Sequence, residues 1–159
     1  MLTKLISKLL GIDAVNPTFP LAVLDVHDGD TVKGAVRLLK LPRLKDRSLG
    51  FHLYVEGGWL TLHTLIRLDG MNCAELVTDA GKAARAYLLS LLAVGDVVTL
   101  QSRLPSQPIA TDKYGGRWDG VLVKNGVNLN EKMVVDGYAA PWSGQGTKPV
   151  PAWPIPAKA

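Results

Sequence analysis

A chain of 159 residues, 47% of them hydrophobic and 20% charged, can bury one compact core and stands far from the composition of a disordered segment. Its net charge of +4 favours a polyanionic partner without requiring one. Cys73 is the single cysteine, which excludes an intramolecular disulfide and any cysteine-built zinc cluster, and no apolar stretch approaches the roughly 20 residues of a transmembrane helix.

Residues 1–20 read as a leader: a short amphipathic helix with lysines at 4 and 8, then a loop opened by Pro17 and Pro20. The leader lacks the cleavage pattern of a signal peptide, which favours the cytoplasm over secretion. The domain proper spans residues 21–142. Leu21, Val23 and Val26 belong to an alternating strand that ends in Asp28-Gly29-Asp30-Thr31, a tight turn whose carboxylates can hold a hard cation. Residues 33–47 then carry six Lys or Arg against one acid, Asp46. Two readings stay open there: a basic arm for phosphates, or a strand pair or loop whose charges face water.

Residues 51–68 are rich in aromatic and β-branched residues and predict a β-hairpin with Glu56-Gly57-Gly58 at its turn. His27, His52 and His63 show no ligand spacing. Thr78 or Asp79 caps a helix running to about Ala93, closed by Gly95. Strands follow at 96–101 and 117–123 around a loop with Pro105 and Pro108, then an Asn125-Gly126 turn and a short helix from Asn128 to Asp136, stopped at Gly137. Residues 143–159 are rich in Gly and Pro and predict an extended linker or recognition tail. This order describes an α+β, mainly β chain: an OB-type five-stranded Greek-key barrel with two or three helices and an insertion at about 33–58.

Four stretches in register then resemble the staphylococcal nuclease (thermonuclease) family, over residues 21–142: Asp28-Gly29-Asp30-Thr31-Val32; Ile66-Arg67-Leu68 with Glu75 eight positions after the arginine; Asp112-Lys113-Tyr114-Gly115; and Asn130-Glu131 leading to Gly137-Tyr138-Ala139. The resemblance implies a calcium-dependent nuclease hydrolysing DNA or RNA with little sequence preference, as a monomer with no membrane partner. It implies Arg67, Glu75 and Arg117 as catalytic residues: two phosphate arginines and a general base. It implies Asp30, the residue at position 72 and the Cys73 backbone carbonyl as calcium ligands, with Asp28 nearby, and Lys113 and Tyr114 as substrate contacts. The chemistry is coherent, since arginine forks and a divalent ion stabilise charge on the equatorial phosphate oxygens while a carboxylate activates water.

Three departures bear on that expectation. Position 72 is an amide, Asn72, where the family has a second carboxylate, so a weaker metal site is expected; Cys73 reads as a small buried hydrophobe. Arg117 follows two glycines instead of one, which a bulge can absorb. The interval from Thr31 to Arg67 is more than twice that of the compact family members. Trp118 and Trp142 are candidates for base stacking or for packing, and Trp59 for packing. The alternative function is a barrel that binds nucleic acid or protein and has lost catalysis.

Overall fold

The computed structural model of the chain describes residues 17–102 and 117–156. The expected leader helix, the expected loop that holds Lys113 and Tyr114, and residues 157–159 lie outside the described residues.

The first strand, β1 (Thr18–Asp28), turns directly into β2 (Thr31–Lys40). Asp28 Oδ1 accepts a hydrogen bond from Asp30 N at 3.0 Å, so the aspartate side chain itself closes the turn. Gly29 is required by close approach: an added Cβ would stand 2.7 Å from Ala84 Cβ and 2.9 Å from Cys73 Sγ. Phe19, Leu21 and Val23 face the core, and a bulge between Val23 and Asp25 shifts the alternation so that Val26 faces it too.

The chain continues through β3 (Arg47–Gly50), β4 (Leu53–Glu56) and β5 (Trp59–Leu68); β4 pairs antiparallel with both β3 and β5, and β5 returns antiparallel alongside β2. After the short β6 (Met71–Asn72) comes helix α1 (Asp79–Leu91), then β7 (Val97–Ser102), β8 (Arg117–Lys124), β9 (Val127–Asn128), helix α2 (Leu129–Val135) and β10 (Ala140–Pro141). β7 pairs antiparallel with both β1 and β8, and β8 pairs parallel with β5. That last pairing closes a five-stranded barrel in the order β5, β2, β1, β7, β8. The result is a mainly β, α+β, OB-like barrel with two helices among the described residues.

The core joins both faces of this closure: Leu21, Val36, Ile66, Leu100 and Leu122 from the barrel, Leu88 and Leu92 at α1, and Met133 from α2. Both helices start as their sequences require. Thr78 caps α1 by accepting from Gly81 N, and Asn128 caps α2 by accepting from Glu131 N. No helix among the described residues is long and apolar enough to cross a membrane.

Three stretches bear on what the sequence predicts. Of the basic run, residues 33–40 are part of β2, a wall of the barrel, in keeping with the strand reading, and residues 41–58 carry a loop, β3 and β4. The predicted hairpin forms as β4 and β5 with Glu56-Gly57-Gly58 at its turn, and β3 extends it to a three-stranded meander; Phe51 and His52, at its expected start, sit instead in the β3–β4 turn at φ 51° and 61°, and Phe51 is 95% exposed. The C-terminal stretch over 143–159, expected as an extended linker or recognition tail, is fastened to the barrel: Pro149 O accepts from the Asn72 side chain at 2.9 Å, and Ile155 packs on Gly137.

Candidate functional site

Closure of the barrel brings sequence-distant ends together. Thr31 pairs with Arg67 across β2 and β5, while Leu65 pairs with Arg117 across β5 and β8. A polar cleft of about 100 Å³ opens at this end. Asp28, Asp30, Arg67, Asn72, Cys73, Glu75 and Arg117, every described residue that the resemblance assigns to catalysis or metal, line it together with Ala74, Leu76 and Lys148. A larger cavity of about 580 Å³ beside β7, β8 and α2 contains none of them.

Asp30 and Arg67 form the floor. Arg67 Nη1 lies 2.9 Å from Asp30 Oδ2, with the two side chains 11% and 12% exposed. The same guanidinium donates to the backbone carbonyls of Asp30, Leu68 and Met71 and to Asn72 Oδ1. Arg67 therefore ties the β1–β2 turn to β5 and β6 besides lining the cleft. Asp30 Oδ2 also accepts from Cys73 N, and Oδ1 from the Thr31 hydroxyl. Burial pushes the Asp30 carboxyl above its ordinary range, against the pull of Arg67 and the Cys73 N–H.

Glu75 is held differently. Its carbonyl accepts from Thr78 N at 2.9 Å and from the Thr78 hydroxyl at 2.7 Å, and Gly81 packs directly on that carbonyl. The main chain is fixed by the start of α1 while the residue itself is exposed at the cleft. A carboxylate on a rigid mount beside cations is what water activation at a phosphate needs.

Asn72 is oriented unambiguously by its partners. Nδ2 donates to Cys73 O at 3.0 Å and to Pro149 O at 2.9 Å, and Oδ1 accepts from Arg67 Nη2 at 3.2 Å. The reversed amide would set an oxygen against two carbonyls and an NH₂ against a guanidinium. Cys73 is buried, and burial, then the charge of Asp30, pushes its thiol far above the ordinary range, so it is no nucleophile.

No protein-family model and no curated protein matches the chain.

The oxygens that the resemblance assigns to calcium are hard donors of the right kind. In this arrangement they do not fit the ion: Arg67 holds Asp30 Oδ2 and Asn72 Oδ1, and the Asn72 amide covers the Cys73 carbonyl. No group of three or more His, Cys, Asp or Glu suited to a metal gathers among the described residues. Trp118 is core, 4% exposed and tilted against the Phe19 ring at 5.5 Å. Trp142 is half-buried, its ring 6.0 Å from the Arg67 guanidinium carbon and 5.7 Å from Lys148 Nζ. Lys148 is the cleft residue that sequence reasoning missed; nothing local to it marks it out.

Proposed function

We propose that the chain is a nuclease of the staphylococcal nuclease kind, hydrolysing phosphodiester bonds of DNA or RNA with little sequence preference. One observation supports this above the others: a carboxylate on a fixed main chain, Glu75, shares a small polar cleft with two arginines drawn from strands that meet only on closure. A phosphodiester entering the cleft meets Arg117, whose guanidinium offsets charge building on the equatorial oxygens. Glu75 orients the attacking water and takes its proton. Arg67 keeps the Asp30 turn and β6 in place around the reacting group, and its exposed edge adds positive field. Backbone contacts of this type carry no base code, hence the broad substrate class.

The test is cleavage of single-stranded and duplex DNA and of RNA by the purified chain in calcium and in chelator, with Glu75→Ala as the control for contaminating nuclease. Cleavage that Glu75→Ala abolishes is the expected result, and the chelator arm decides whether that cleavage needs a divalent metal; cleavage retained in full by Glu75→Ala would refute the assignment. A second reading, a barrel that binds nucleic acid without cutting it, is favoured by the commitment of the Asp30, Asn72 and Cys73 oxygens to protein donors. Binding without cleavage under any divalent metal would establish that reading instead.

A further inference from the structure

The C-terminal segment does not end at the barrel; it doubles back over the cleft. β10 runs beside β6, with Ala140 opposite Asn72, and Trp142 N donates to Gly70 O at 3.0 Å. The Trp142 indole N–H then donates to Gln145 O at 2.9 Å, drawing the chain into a tight return that Gly144 and Gly146 make at positive φ. Lys148 reaches the cleft wall, and Pro149 O receives the Asn72 amide. Further on, Ile155 packs so closely on Gly137 that an added Cβ there would stand 2.9 Å from Ile155 Cγ2. A stretch whose composition predicts a loose linker is thus fastened on both sides of its lysine.

Lys148 is exposed and, among the described residues, makes no ion pair, although Asp28, Asp30 and Glu75 line the same cleft. Its ammonium lies over the Trp142 ring at 5.7 Å from the centroid, a placement that holds the charge at the cleft without neutralising it. Arg67 is already committed to Asp30 and to three backbone carbonyls. We propose that the C-terminal segment is part of the substrate site: Lys148 contacts a phosphate of the bound nucleic-acid strand, and Asn72 is a positioning residue whose amide latches Pro149 so that Lys148 stays there. This rests on the nucleic-acid reading above and gives position 72 a reason to be an amide. A carboxylate there would face the carbonyls of Cys73 and Pro149 with no hydrogen to offer.

The experiment uses the full chain and a single-stranded DNA oligonucleotide, with affinity measured by fluorescence anisotropy over a series of salt concentrations in the absence of turnover. Lys148→Ala should weaken binding and reduce the slope of log affinity against log salt by about 0.7, the contribution of one phosphate contact on a single strand. Lys148→Arg should restore the slope. Asn72→Asp should raise hydrogen exchange across residues 143–156 and lower affinity, and adding Lys148→Ala to it should cost nothing further. An unchanged slope in Lys148→Ala, with the wild type binding normally, would overturn this proposal and leave the nucleic-acid reading standing. Failure of the wild type to bind any strand would remove both. Unchanged exchange in Asn72→Asp would overturn the latch by itself.

Discussion

Replacing Arg67 with methionine tests the floor of the cleft most directly. The substitution keeps much of the side-chain volume and removes the partner of a carboxylate whose side chain is only 12% exposed. It also leaves the carbonyls of Asp30, Leu68 and Met71 and the Asn72 Oδ1 without that donor. Breaking a buried pair from one side costs about 3–5 kcal/mol, because the remaining charge stays uncompensated. For a chain of this size that corresponds to a fall of about 6–20 °C in Tm. The loss should depend on pH with a definite sign. The Asp30 carboxyl is already raised by burial, and removing the guanidinium raises it further. The folded chain then holds a proton that the unfolded chain releases, so stability falls with rising pH between the unfolded and folded values. The deficit of Arg67→Met should therefore be smallest below the ordinary carboxylate range and grow as pH rises through the raised value. Adding Asp30→Asn should recover part of the loss near neutrality. Thermal and urea unfolding of the four proteins across pH measures this, and a loss below about 1 kcal/mol, or strict additivity of the two changes, would refute the coupled floor.

Gly81→Ala should destabilise the fold even though alanine is the better helix former, because its Cβ would fall 2.0 Å from Glu75 O; a loss of about 1–3 kcal/mol is expected in urea unfolding. Any cleavage activity should fall more than that loss explains, since the carbonyl displaced belongs to Glu75. Phe51→Asn should stabilise the fold by about 0.5–1 kcal/mol in urea unfolding, because asparagine tolerates the positive φ that an almost fully exposed phenylalanine holds at a cost; a loss of stability would show that the ring packs usefully. The Asp96 carboxyl is held below its usual range by Lys124 and by the Ala93 N–H, so its contribution is present above the ordinary carboxylate value and lost as pH falls through the lowered one. Thermal midpoints of wild type and Asp96→Asn should accordingly converge in acid, and a separation independent of pH would discount the pair.

What the sequence discloses follows the range of the interactions involved. The Asp28–Thr31 turn and both helix starts are written in residues two or three positions apart, and they form as read. Asn72 is different: its orientation depends on Pro149, seventy-seven positions on, and no local pattern at either residue announces the contact. The charged run is ambiguous for another reason. In β2 the exposed Lys33 and Lys40 bracket buried Gly34, Ala35 and Val36, so a barrel wall carries the composition of an arm. Phe51 misleads through propensity, since an aromatic residue suggests a strand while the tight β3–β4 connection demands positive φ. The cleft residues were legible because their types and order match a chemistry; the identity of their donors was not, because that is set by closure.

The parallel seam between β5 and β8 joins Leu65 to Arg117 and Leu68 to Gly120, residues some fifty positions apart in the chain. A contact of that separation is entropically expensive and is gained only after the intervening strands have found their places. Arg117 and Glu75 therefore share a cleft in the closed barrel and in no partly assembled one, so the phosphate capture proposed for that cleft would report the completed ring: a chain with its meander and helices formed but its seam open would carry all the same side chains and have nowhere to use them.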